Sequence, residues 1–260
     1  MQRAFELFSD IFAVRDNLLT RIDPRVKVMV TCLIILSVIL STKPALPLAV
    51  FTLSLVGTRI IQVPIRLVLA RLAAPVAIVL VLVMMQAFLI GSTPLFTFSL
   101  LKWKISGFQE GAYRGILIGC RVLGAVSVIL LMSFATQAHR IFHTLRWLGM
   151  PKGWVEVAML MYRYIFTLLD QATDIMSAQR LRLGYSTLKR SLSSIGVLAG
   201  TVMILSMDQA VRTYDAMVLR GYKGYVPFGS LPAMSGKDRW ILVLVPGIVL
   251  VAYLMCEWGL

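Results

Sequence analysis

The stretch LAAPVAIVLVLVMMQAFLI, Leu72–Ile90, decides the fold: it runs for 19 residues without a charged side chain. A helix needs about 20 mostly apolar residues to cross a bilayer, so this stretch predicts a membrane span. Working outward, Gly115–Ala138 is apolar except for Arg121, and Trp240–Cys256 is charge-free over 17 residues. Val28–Thr42 and Pro44–Thr58 are charge-free over 15 residues each, so each must extend into its flanks to span. Between them Lys43-Pro44-Ala45-Leu46-Pro47 predicts a tight hairpin, because proline disfavours a continuous helix there. The chain therefore reads as an all-α polytopic membrane protein with about five transmembrane helices. Residues 1–138 form a membrane domain with the first four spans, and 240–260 hold the last. Residues 139–239 form a cytoplasmic helical domain inserted before it.

Composition agrees. The 260 residues are 58% hydrophobic and 15% charged, against about 45–50% and 25% for soluble domains. That excludes a soluble enzyme and a disordered scaffold. The net charge of +14 would suit nucleic acid, an anionic lipid face or an acidic protein partner. The hydrophobicity sets nucleic acid aside, and the charge distribution decides the rest. Lys and Arg number five in residues 1–27, three in 59–71 and thirteen in 139–239, so 21 of 26 share one side. By the positive-inside rule that side is cytoplasmic, which puts the N-terminus inside and the C-terminus outside. Lys43, Lys102, Lys104 and Arg114 fall on the outer side.

Trp154–Leu169, with Glu156 and Arg163, and the charge-free Ser191–Met207 are also apolar runs. If both spanned, Arg180, Arg182, Lys189 and Arg190 would face outward, so both are assigned as helices on the cytoplasmic side, packed on the membrane domain or dipping into the interface. In the outer loop, residues 91–113, the alternation Phe96-Thr97-Phe98-Ser99-Leu100 predicts a short strand pair. Met1–Asn17 carries Glu6, Asp10 and Asp16 and lacks the apolar core of a signal peptide, so the first spans are expected to act as insertion signals. Cys32, Cys120 and Cys256 lie apart in apolar runs and read as small hydrophobes.

The insert is patterned as helices, with stops at Gly149-Met150-Pro151, Leu183-Gly184-Tyr185 and Gly221-Tyr222-Lys223-Gly224. It contains an echo. Ala178-Gln179-Arg180-Leu181-Arg182-Leu183-Gly184-Tyr185 and Ala216-Met217-Val218-Leu219-Arg220-Gly221-Tyr222 both read Ala-x-x-Leu-Arg followed by Gly-Tyr, 38 residues apart. Each Arg falls in the last turn of a helix, on the face of a small residue four positions earlier, where another surface can approach. A planar, permanently charged guanidinium suits carboxylates and helix C-terminal carbonyls of a partner. Two such ends suit two equivalent surfaces, as on a symmetric dimer. The same ends also read as plain helix termini whose arginines offset the dipole.

These residues resemble the transmembrane T component of energy-coupling-factor (ECF) transporters, of the CbiQ type found in cobalt and nickel uptake systems. Ile22-Asp23-Pro24-Arg25-Val26-Lys27 is similar to the family's entry to the first span. Glu110-Gly111 with Gly119-Cys120-Arg121, and Leu145 to Pro151, fit two further elements. Met161-Tyr162-Arg163-Tyr164 and the two echo segments are similar to the cobalt subgroup. The resemblance implies that Arg182 and Arg220, with Ala178, Leu181, Gly184, Ala216, Leu219 and Gly221 around them, end coupling helices that dock into grooves of two ABC-type ATPase subunits. The triplets Leu181-Arg182-Leu183 and Leu219-Arg220-Gly221 depart from the family's Ala-Arg-Gly pattern but keep the arginines. Arg163 is expected to organise the coupling domain, and Asp23, Pro24 and Arg25 to shape the entry. The resemblance further implies a separate integral membrane subunit that binds Co2+ or Ni2+, room for a small accessory membrane subunit, and a bacterial inner-membrane location.

There is no Gly-x-x-x-x-Gly-Lys-Ser/Thr, so ATP hydrolysis by a P-loop must come from a partner. His139 and His143, the only histidines, share a helix face, but a transition-metal site normally needs three or more ligands. No metal site, catalytic residue or bound cofactor is therefore expected in this chain. Arg121, a cation within a span, is expected to be paired, with Glu110 and Glu257 as candidates. A self-sufficient secondary transporter would need intramembrane carboxylates, and the expected spans hold none. A membrane enzyme would need a carboxylate, Cys or His cluster, which the sequence also lacks.

Overall fold

A computed structural model describes residues 22–89, 94–100, 103–224 and 234–258. The N-terminal segment Met1–Asn17, and parts of the outer loop and of the insert's end, lie outside the described residues. In chain order the elements are α1 (Pro24–Leu40), α2 (Ala45–Ile60), α3 (Ile65–Leu89), β1 (Pro94–Leu100), β2 (Trp103–Phe108), α4 (Gln109–Ala135), α5 (Ala138–Trp147), α6 (Lys152–Leu181), α7 (Leu188–Leu219) and α8 (Gly236–Trp258). The expected strand pair is present: β1 and β2 form an antiparallel hairpin with Phe98 opposite Ile105. It is a minor element in an otherwise helical protein.

Four helices are long and apolar enough to cross a membrane by length and composition: Ile65–Phe88, Gln109–Ala135, Leu188–Leu219 and Asp238–Glu257. Three of them overlap spans expected from the sequence. The first two expected spans are helices of only 17 and 16 residues, at the short end of what a bilayer requires. The fourth such helix, Leu188–Leu219, covers a run that is not read from the sequence as a span. The sequence put residues 191–207 on the cytoplasmic side because of the flanking cations, yet this helix meets the length and apolarity of a span. α3 also begins earlier than the charge-free run, taking in Arg66 and Arg71, and continues through Pro75.

The described residues divide into two compact units, one holding those of 22–141 with 234–258 and the other those of 142–224. In the first, α4 is the central helix, with α1, α2 and α3 packed on it. Its contact faces are glycine and serine. A Cβ on Gly115 would meet the Val83 backbone at 3.1 Å, and one on Gly124 would meet the Pro47 carbonyl oxygen at 2.9 Å. Helices associate in membranes through such small residues because lipid offers no hydrophobic drive for pairing. Ser54 Oγ of α2 and Ser127 Oγ of α4 share a buried hydrogen bond of 2.6 Å. At one end, Ile61, Val63, Val68, Leu72, Phe134 and Ala135 form the apolar core, and the Arg71 guanidinium sits 4.9 Å from the Phe134 ring centre.

Three contacts orient the bundle. Lys27 Nζ, at the start of α1, donates to the Ala135 carbonyl that ends α4, at 2.9 Å. The Asp23 N–H, just before α1, donates to Asp238 Oδ1 in the first turn of α8, at 3.4 Å. Beyond the other end of α1, the Thr42 backbone N–H donates to Glu257 Oε2 at 3.3 Å, and its hydroxyl donates to Oε1. α1 and α8 are therefore parallel, and α4 ends where both begin. The segment between α4 and α8 leaves and re-enters this unit at the same end.

Arg121 finds a partner that the sequence did not suggest. Its Nε and Nη2 donate to the Ser41 carbonyl at 3.0 and 2.6 Å. Ser41 is the C-cap of α1, where the helix dipole is negative, so a guanidinium is well placed there. Glu257, one of the two expected partners, binds Thr42 instead and is near enough to feel the charge of Arg121.

Candidate functional site

The second unit carries the two echo segments on α6 and α7. The helices form an antiparallel hairpin. Near the turn Gln179 Nε2 donates to the Ser194 carbonyl at 3.0 Å, and far from it Tyr164 Oη and Thr213 Oγ1 lie 2.9 Å apart. At about 1.5 Å per residue, the 32-residue α7 is about 48 Å long. The end of α6 thus lies beside the start of α7, and the end of α7 lies that distance away.

Both ends have the same backbone. α6 stops at C-cap Arg182 (φ −88°, ψ 15°) and α7 at C-cap Arg220 (φ −90°, ψ 11°). The next residue is left-handed in each: Leu183 at φ 58° and Gly221 at φ 81°. A backbone bond across five residues then closes each turn, Gly184 N–H to the Gln179 carbonyl at 2.8 Å and Tyr222 N–H to the Met217 carbonyl at 3.0 Å. That is the Schellman arrangement. It sets Leu183 against Gly221, whereas the echo in the sequence set Gly184 against Gly221. Gly184 is needed for a different reason: a Cβ there would sit 2.7 Å from Ser194 Oγ and 2.9 Å from the Gln179 carbonyl oxygen.

The side chains at these tips point to solvent. Leu181 and Leu219 are 88% and 89% exposed, and Arg182, Arg220, Ala178 and Ala216 are exposed as well. A guanidinium beside a nearly bare leucine, with an alanine one turn back, offers a charged and apolar contact that nothing in this chain covers among the described residues. Fold stability does not explain exposing leucine twice in equivalent places.

Leu183 pays a steric cost in the left-handed region, about 1–2 kcal/mol for a residue with a Cβ. Leu183→Gly should therefore raise stability by about 1 kcal/mol, read as a higher melting temperature of the detergent-solubilised protein. A loss of stability would mean that the exposed Leu183 side chain makes contacts that outweigh the strain.

The remaining expected residues sit as follows. Asp23 is the N-cap of α1, accepting from the Arg25 N–H at 2.9 Å, and buried Pro24 occupies the first helical position. This accounts for the entry motif as a helix start. Arg163 is exposed, with its guanidinium carbon 5.9 Å from the adjacent Tyr164 ring. The residue that ties α6 to α7 at that level is Tyr164, through Thr213. On the other face of α6, Tyr162 packs edge-on against Phe142 and Phe166, at 6.0 and 5.4 Å. His139 is exposed, His143 is half-buried, and no group of three His, Cys, Asp or Glu residues gathers among the described residues.

Comparison with known proteins agrees with this architecture. The family model described as CbiQ, cobalt transport protein, matches residues 15–228. An uncharacterised protein of Methanocaldococcus jannaschii is 30% identical over 212 residues, covering 81% of this chain and 79% of its own. A cobalt transport protein CbiQ of Rhodobacter capsulatus is 27% identical over 46% of this chain and 50% of its own. The energy-coupling factor transporter transmembrane protein EcfT of Staphylococcus aureus is 22% identical over 92% and 93%. The chain is thus a multi-pass helical membrane component of a transport system. It belongs to the CbiQ cobalt transport protein family.

Proposed function

We propose that this chain is the coupling subunit of an ATP-driven cobalt or nickel importer, transmitting the motion of two ABC-type ATPases to a separate metal-binding membrane subunit. The observation that carries this reading is the pair of equivalent helix ends, Leu181-Arg182 and Leu219-Arg220, held at opposite ends of one hairpin with their side chains bare. Each arm docks on one ATPase of the dimer. Closure on ATP then moves one helix end relative to the other, and the hairpin passes that motion to the membrane. The chain itself binds no metal and hydrolyses no ATP.

This function needs the α6–α7 hairpin on the cytoplasmic side. The thirteen Lys and Arg of residues 139–239 support it, and the contacts of Lys27 with Ala135 and of Asp23 with Asp238 agree with it, because the insert leaves and returns at one end of the bundle. It therefore crosses an even number of times, so the span-like α7 does not cross alone. In a variant lacking Cys32, Cys120 and Cys256, a cysteine at Thr187 should resist an impermeant thiol reagent added to intact cells, and one at Thr97 should react. External labelling at position 187 would place the hairpin turn outside and defeat the docking scheme.

The function itself is tested in proteoliposomes. Cobalt uptake should require the chain, its ATPases, the metal-binding subunit and ATP together. Uptake by the chain alone under a proton gradient would favour a self-sufficient secondary transporter.

A further inference from the structure

The two arms differ in how they are held. Around the end of α6, three residues close a ring of hydrogen bonds. The Gly184 N–H donates to the Gln179 carbonyl at 2.8 Å, Gln179 Nε2 to the Ser194 carbonyl at 3.0 Å, and Ser194 Oγ back to the Gly184 carbonyl at 2.9 Å. Tyr185 Oη adds a bond to Gln179 Oε1 at 2.7 Å. Gln179, Gly184, Tyr185 and Ser194 are all partly buried, whereas the Arg182 they flank is exposed. The ring joins the last turn of α6, the turn itself and the second turn of α7. Gln179 lies one turn before Arg182, so it fixes the azimuth of the tip. The equivalent positions of the second arm are Met217 and Lys223, and neither can reproduce the amide bridge or the phenol bond.

We infer that Gln179, Ser194 and Tyr185 are positioning residues for the first arm: they hold the turn that carries Arg182 against the start of α7, leaving its side chain free in the orientation that meets the ATPase. This rests on the two-arm reading above and adds that the arms are held differently, the first braced by Gln179 and Tyr185 where the second has Met217 and Lys223. Preorganising a contact residue improves affinity by removing the ordering cost at binding.

The test is a double-mutant cycle on the full chain in detergent, titrated with the purified ABC-type ATPase of the same transporter. In the Arg182 background, Gln179→Ala should weaken ATPase binding about five-fold, the equivalent of about one net hydrogen bond. In an Arg182→Ala background the same change should have less than about a two-fold effect, because the residue it positions is gone. An equal effect in both backgrounds, or none in the first, overturns the inference. If Gln179→Ala does not fold, Tyr185→Phe removes only the phenol oxygen and is judged by the same pattern. If Arg182→Ala alone leaves binding unchanged, the two-arm reading itself has failed.

Discussion

Gly124→Val should unfold or disassemble the membrane unit, whereas Gly153→Ala should leave it intact. Gly124 lies where α4 crosses the start of α2, and a Cβ would sit 2.9 Å from the Pro47 carbonyl oxygen and 3.5 Å from the Pro47 Cα. That obstruction is backbone, so no rotamer change relieves it. Gly115 is similar, with the Val83 Cα at 3.1 Å and its oxygen at 3.3 Å. Alanine at either site gains helix propensity, about 1 kcal/mol over glycine. Overpacking a close interface costs about 1–3 kcal/mol, so alanine should be net destabilising and valine more so. Gly153 in α6 has nothing within 4 Å of a Cβ, so there only the propensity term acts. Melting of the detergent-solubilised protein measures all of these. A Gly124→Val variant that melts like the parent would show that α2 and α4 are not in contact as described.

The seam shows what the sequence made legible and what it did not. Its signal was present: Gly111, Gly115 and Gly119 recur every four residues, and all three are buried. Hydropathy found α4 but said nothing about its packing face, and reading the glycines as a close-contact stripe would have supplied it. Arg121 was legible as a residue needing a partner. Its partner was not, because it is the Ser41 main-chain carbonyl, and a carbonyl carries no residue identity. The helix ends were placed well, since Gly149, Gly221 and the residues around Leu183 do terminate helices. The arms align in sequence as in structure through Ala, Leu and Arg, and the triplets set Leu183 against Gly221 as the backbone does; only the Gly-Tyr echo paired Gly184 with Gly221. Arg163 reads, from its Tyr-Arg-Tyr context, as organising the coupling domain, and the hydrogen bond seen between α6 and α7 at that level is the one from Thr213 to the neighbouring Tyr164 hydroxyl. For α7, length and flanking charge point in opposite directions, and the return of the chain to one end of the bundle fits either no crossing or a crossing by α6 and α7 together.

The central claim is that Arg182 and Arg220 act on a partner and not on the fold. Each lies at a helix C-terminus, where a cation offsets the dipole by about 0.3–1 kcal/mol. Both are exposed, so solvent and salt weaken that contribution further. Reversing both charges should therefore lower the melting temperature of the isolated chain only slightly. At a desolvated interface, an unmatched charge costs about 2–5 kcal/mol, which is about 30-fold to several thousand-fold in affinity. Arg→Lys should be only partly tolerated, since an ammonium lacks the planar fork. The direct measurement is ATPase co-purification together with ATP-driven cobalt uptake for the Arg182→Glu, Arg220→Glu double variant, beside the parent. The double variant should insert and fold, yet retain no ATPase and transport nothing, with each single variant in between. If it still co-purifies with the ATPase and drives uptake, the two-arm mechanism is wrong and these arginines are merely helix ends.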